Sequence, residues 1–172
     1  MESTSTLRGL TGARTARHGR LVRRTALFVM LGILALSFTG FFGPSHRTVT
    51  TTDGGYRLEL TYGSVVRSGQ AVPLKLRVDH VGGYDGPITV VFDQDVFDHF
   101  DFQNWYPNPA GEVGEGDTVV YEFDPPEGEV FMVSLDARVA PTQWASHHTY
   151  SVALDVAGVE TARTEYAVWV MP

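Results

Sequence analysis

The side chains best suited to chemistry crowd into one stretch, "DQDVFDHFDFQNWYPNP", residues 93–109, which sets Asp93, Asp95, Asp98 and Asp101 around His99. Dense carboxylate oxygens are what a calcium ion takes, and carboxylates with imidazole are what zinc takes. The spacing suits neither. Counted as an EF-hand loop from Asp93, the fifth position is Phe97, the sixth is Asp98 where the loop needs glycine, and the twelfth is Asn104 where it needs a bidentate glutamate. For zinc, His99 has the pair His147-His148 to draw on. Neighbouring residues of a strand point to opposite faces, so that pair can share one ion only from a loop. Asp93, Asp95, Asp98 and His99 therefore stand as weak metal candidates, and no metal or other cofactor is implied. A plainer account fits the periodicity: Asp93 or Asp95 caps one helical turn, Val96 or Phe97 with Phe100 turns inward, and the rest runs extended to the Pro107-Asn108-Pro109 turn.

Catalytic patterns are missing. The chain has no cysteine, no G-x-S-x-G, no phosphate-binding Walker loop and no H-E-x-x-H. A glycosidase pair of carboxylates needs a defined separation across a cleft, which a sequence does not supply. No catalytic residue is assigned, and the chain reads as a non-enzyme. The binding candidates are Trp105 and Tyr106, just before the proline turn, and Trp144 in "PTQWASHH". Such rings stack on a sugar or anchor a protein interface when exposed. The competing account has them capping the open ends of a core. Trp169, alternating with Val168 and Val170, reads as an outward ring or part of a second packed face.

These residues must be held by strands. In "YRLELTY" Tyr56, Leu58, Leu60 and Tyr62 alternate with polar residues, and in "AVPLKLRVD" Val72, Leu74, Leu76 and Val78 do the same. That period of two marks half-buried strands. The pattern recurs in "GPITVVF", "DTVVYEF", "VFMVSLDARV", "TYSVALDV" and "VETARTEYAVWV", with turns at 67–70, 82–83, 86–87, 107–109 and 125–126. The last two strands predict a hairpin through Ala157-Gly158. Seven or eight short strands with no long amphipathic helix imply an all-β antiparallel sandwich over residues 56–172, with 44–55 as a linker or first strand.

Charge divides the chain. Residues 1–24 carry a balance of +5 from six arginines, and residues 44–172 carry −12, which together give the overall −7. Between them "TALFVMLGILALSFTGFF", Thr25 to Phe42, has no charged residue and no proline. As a helix it spans ~27 Å, about the hydrocarbon thickness of a bilayer. Residues 25–43 thus predict a transmembrane signal anchor that engages the lipid bilayer. The preceding arginines place the N-terminus in the cytoplasm and the C-terminal domain outside. The run exceeds the hydrophobic region of a cleaved signal peptide and no A-x-A triplet follows it; Arg23-Arg24 leaves a twin-arginine export signal as a minor alternative. Residues 1–24 have the composition of a disordered basic tail, whose arginines suit anionic headgroups rather than nucleic acid.

One resemblance follows from these strands. The succession "VPLKLRVDHVGGYDGPITVVF", a pause ending in "PNP", "VVYEFDPPEGEVFMVSLDARV" and "HTYSVALDV" looks like bacterial cell-surface immunoglobulin-like modules of the CARDB kind, over residues 56–170. Those modules often carry an asparagine after the second strand, where this chain has Asp79-His80. The resemblance implies an immunoglobulin-like β-sandwich with a scaffold or adhesive role, and it carries over no catalytic residue. The expectation is a single-pass membrane protein whose extracytoplasmic module serves a membrane or envelope protein partner. The alternatives are a carbohydrate-binding module using Trp105, Tyr106 and Trp144, and a metal-binding enzyme or sensor using the acids around His99.

Overall fold

The computed structural model describes residues 13–38, 45–141 and 143–171. It divides into two compact units, residues 1–43 and 44–172. The first is the helix α1 (Ala13–Phe38). Its stretch Leu21–Phe38 has a mean hydropathy of 1.8 and is long and apolar enough to cross a membrane. Large apolar side chains are exposed all along it, from Leu21 and Val22 to Leu34, Leu36 and Phe38. A helix apolar on every side is stable only within an apolar surrounding, such as a protein core or a bilayer. The helix also begins earlier than expected: residues 13–24 are helical where composition suggested disorder. Arginine, alanine and leucine are good helix formers, and a helix nucleated in the apolar run propagates into them at little cost. Residues 1–12 of the expected tail and 39–43 of the expected anchor lie outside the described residues.

The second unit is β-rich. Its elements are β1 (Ser45–Asp53), β2 (Tyr56–Arg67), β3 (Ala71–His80), β4 (Ile88–Asp93), the short helix α2 (Asp95–His99), β5 (Phe100–Tyr106), β6 (Gly111–Glu115), β7 (Thr118–Phe123), β8 (Val130–Val139), β9 (Ser146–Val156) and β10 (Val159–Met171). The strands follow the order β5-β8-β3-β2-β10-β9-β4-β7-β6, with β1 added on β2. The sheet curls at β2 into two facing layers, and the core lies between them. Rings from opposite layers meet there: Phe123 with Phe131, and Tyr62 with Tyr166.

Alternation explains which face is inside. Leu58, Leu60, Leu76, Ile88, Leu135 and Leu154 are fully buried, and the neighbours of each along its strand point away from that core face. Two strands escaped the sequence reading. β5 reads from its sequence only as an extended path, and β6 is an exposed edge strand of sequence GEVGE with no apolar periodicity to mark it. The β9–β10 hairpin forms as expected, with Ala157 (φ 52°) and Gly158 (φ 80°) as its two loop residues. Positive φ at both positions is the signature of the type I′ turn whose twist suits a hairpin.

The two layers share β2. Its first half, Tyr56–Thr61, pairs antiparallel with β3, and its last residues, Val65–Arg67, pair parallel with the end of β10. Gly63 sits at the crossing. A Cβ there would lie 2.4 Å from Val72 Cγ1 and 2.8 Å from Val66 Cγ1, so only glycine lets β2 pass this close to β3.

Candidate functional site

The loaded stretch follows β4. The carboxylate of Asp93 accepts hydrogen bonds from the Ser151 backbone N–H and, at 2.8 Å, from its hydroxyl; Arg163 Nη1 donates to the same hydroxyl at 3.2 Å. Asp93 thus ties the end of β4 to β9. It does not cap α2, whose N-cap is Gln94 with no side-chain cap bond, and Asp95 lies inside the first turn. The physical reason is local register: Phe92 pairs with Val152, which leaves Asp93 beside the Ser151 N–H on the neighbouring strand. Inward packing is as the periodicity indicated. Val96 and Phe100 are buried, and Phe97 sets its ring edge-on to Phe92 at 6.3 Å and to Phe102 at 5.1 Å.

Asp95 and Asp98 are exposed. His99 Nδ1 hydrogen-bonds the Asp95 carbonyl at 2.9 Å, and its ring lies 3.9 Å from that of His148. The sequence offers His147-His148 to His99 only as a pair on a loop, whereas both belong to strand β9. The structure splits that pair. His147 faces outward against Trp169, while His148 faces inward with its Nε2 buried and unpartnered. Burial, followed by the neighbouring His99 and His147, pushes the His148 pKa below its ordinary value. Among the described residues no three His, Asp or Glu side chains are grouped to hold a metal ion.

The three candidate rings part company. Trp105 faces inward from β5, 4.0 Å from Tyr121, 6.0 Å from Phe92 and 5.9 Å from Phe123. It closes the gap between the layers. Tyr121 behind it donates its hydroxyl to Glu112 at 3.3 Å, and burial, with that carboxylate, raises its pKa. Tyr106 and Trp144 are 81% and 86% exposed. Phe100 pairs with Val139 at the end of β8 that leads to Trp144, whereas Tyr106 pairs with Ser134. At about 3.3 Å per residue, some 17 Å of strand lies between. The rings therefore form no common platform.

Two other surfaces draw residues together. At the end holding the β1–β2 turn, a groove of about 270 Å³ is lined by Gly55, Arg57, Asp79, His80, Val81, Glu129 and Val130. His80 stacks on Tyr56 at 4.0 Å and hydrogen-bonds the Gly55 carbonyl at 3.0 Å. Arg77 grips Asp79 with contacts of 2.7 and 3.1 Å, which holds the Asp79 carboxyl below its usual range. Tyr84 donates to the Val78 carbonyl at 2.8 Å, and burial pushes its pKa up to about 12. Around this ordered polar frame Val81, Val130 and Met132 are exposed by 85%, 41% and 53%. The second surface is a corner where Trp169, paired with both Val65 and His147, borders a groove of about 340 Å³ shared with Arg47, Ser64 and Ala167. Alternation in "VWV" announced the outward ring. Its neighbours on β1 and β2 are set by strand pairing and had no local signal.

No protein-family model and no curated protein sequence matches the chain. Solved structures similar to it include the N-terminal domain of the Streptococcus gordonii adhesin Sgo0707, with a TM-score of 0.46 and 12% identity over 73% of this chain. The chain spans 32% of that adhesin chain's length. The Coh-OlpC–Doc435 type I cohesin–dockerin complex from Clostridium thermocellum gives a TM-score of 0.39 at 11% identity, covering 63% of this chain and 90% of that one. A non-cellulosomal cohesin from the archaeon Archaeoglobus fulgidus gives 0.38 at 11%, covering 64% and 88%.

Proposed function

We propose that the chain is a bacterial single-pass membrane protein, N-terminus in the cytoplasm, whose extracytoplasmic β-sandwich is a non-enzymatic interaction module for a membrane or envelope protein. The anchor rests on the apolar length of α1 and on the arginines that precede its apolar stretch. An immunoglobulin-like character is supported by the wiring. Variable-type immunoglobulin domains place strands A, B, E and D in one sheet and G, F, C, C′ and C″ in the other. Taking β2, β3, β8, β5 and then β10, β9, β4, β7, β6 gives the same neighbours. Chain order departs in two places: β5 precedes β6 and β7, and β6 precedes β7.

The observation that carries the interaction role is the groove lined by Val81 and Val130, with the exposed Met132 two residues further along the same face of β8. Exposed apolar side chains set among fixed charges, here Arg57, Asp79 and Glu129, are the composition of a protein-binding patch with a polar rim. A photo-cross-linking residue placed at Val81 or Met132 of the full chain in native membranes is expected to capture the same neighbour. The same probe at Glu165 is not. Loss of that adduct on Val130→Asp would support the patch. Equal adducts from all three positions, or none that recurs, would remove the proposal.

A further inference from the structure

From the Trp169 corner we infer that this end of the sandwich docks on the anionic headgroup layer of the membrane in which α1 is anchored. The inference rests on the anchor reading above and adds a second membrane contact, made by the folded domain.

Chain length confines the corner. Phe38 ends α1 and Ser45 begins β1, seven peptide steps apart, which at ~3.6 Å each reach at most about 25 Å. Ser45 pairs with Val65, and Val65 pairs with Trp169. Adjacent strands lie about 4.8 Å apart, so the Trp169 backbone is only about 10 Å from the point where the chain enters the domain. Trp144 is brought to the same end because Ser146, two residues on, pairs with Val170. The rim of this end is held by two hydrogen bonds: Ser68 N–H to the Met171 carbonyl at 3.1 Å, and Gln143 N–H to the Ser68 hydroxyl at 3.2 Å.

What this end exposes is unusual for the domain. Trp144 is 86% exposed, Trp169 59% and Met171 42%. A soluble face gains nothing from two open tryptophans, whereas a bilayer interface accommodates both the apolar ring and its N–H. The charge agrees. The unit as a whole is strongly acidic, yet the segments next to this corner, 45–49, 62–70, 138–149 and 167–171, contain no Asp or Glu. They contribute Arg47, Arg67 and Arg138, all exposed. Asp101 on β5 pairs in register with Arg138, so the cationic side of the corner is the one that carries Arg47 and Arg67. Arginines beside an anionic surface attract it over about a Debye length, and exposed rings then insert.

The test uses the full chain reconstituted in phosphatidylcholine vesicles, with and without phosphatidylglycerol, carrying lipids brominated near the headgroup end of the chains. The inward Trp105 is the internal reference. The expected result is quenching of the wild-type emission, reduced by Trp144→Phe and by Trp169→Phe and absent from the double variant, which retains only Trp105. Arg47→Gln is expected to weaken docking about five-fold in the anionic vesicles and little in the neutral ones. Flotation and resistance to alkaline extraction read the anchor separately. A protein that stays membrane-embedded with unquenched wild-type emission overturns the docking and leaves the anchor standing. Unchanged quenching in the double variant also overturns it. A protein that alkali extracts overturns both.

Discussion

Replacing Trp105 by alanine separates the two accounts of the aromatic residues. A tryptophan buries roughly 150–250 Å² when fully inside; Trp105 is half-buried, so about 75–125 Å² of buried ring area is lost, worth ~2–3 kcal/mol at 25 cal/mol per Å². The vacancy left against Phe92, Tyr121 and Phe123 keeps the cost at that level even if the neighbours relax. For a domain of this size 1 kcal/mol moves Tm by about 3–5 °C, so Trp105→Ala is expected to lower Tm by about 10 °C. Thermal melts of the full chain in mild detergent, followed by far-ultraviolet circular dichroism at the strand band, would read it. Trp144→Ala is the control: its ring touches solvent, and the expected change is within about 0.5 kcal/mol. A Trp105→Ala protein that melts with the wild type would refute the inward placement, and equal losses from both variants would refute the division between them.

Three further outcomes follow from the packing. Gly63→Ala forces a Cβ against Val72 and Val66 at the crossing of β2 and is expected to cost about 2 kcal/mol by denaturant titration, while Gly111→Ala, with its nearest atom at 3.8 Å, should not overpack. Asp93→Ala leaves the Ser151 N–H and hydroxyl without their acceptor, for a loss of about 1–3 kcal/mol; Asp95→Ala, exposed on α2, should cost far less in the same titration. His148 has a folded-state pKa below its unfolded value of about 6.5, so the folded protein binds fewer protons there. Its contribution is complete above pH ~6.5 and is lost as pH falls from there through the folded value; Tm measured across that window should decline, and His148→Gln should flatten this part of the curve.

Much of the fold was legible because burial in a strand is a local, period-two property. Val72, Leu74, Leu76 and Val78 announced the inner face of β3, and all four are buried. Ala157-Gly158 announced its turn for the same reason: the loop chemistry is contained in two residues. β6 went unread because an exposed edge strand buries nothing and needs no alternation. The site was less legible. Four aspartates within nine positions suggest a ligand cluster, yet Asp93 serves Ser151, fifty-eight residues away, and Asp95 and Asp98 face solvent. Trp105 and Tyr106 are consecutive on β5, so pleating sends one ring into the core and the other into water.

Read along the chain alone, the residues already show a basic N-terminal segment, an apolar span and an acidic β-rich unit, together with the inward face of most strands. These are matters of composition and short-range period, and they survive any arrangement of the strands. The three-dimensional pairing alone takes β2 from β3 to β10, brings His99 to His148, and sets Trp169 and Arg47 on one groove near the point where the chain enters the domain. Each joins residues tens of positions apart, through backbone hydrogen bonds available to any residue but proline, so side-chain identity carries little information about which strands will pair.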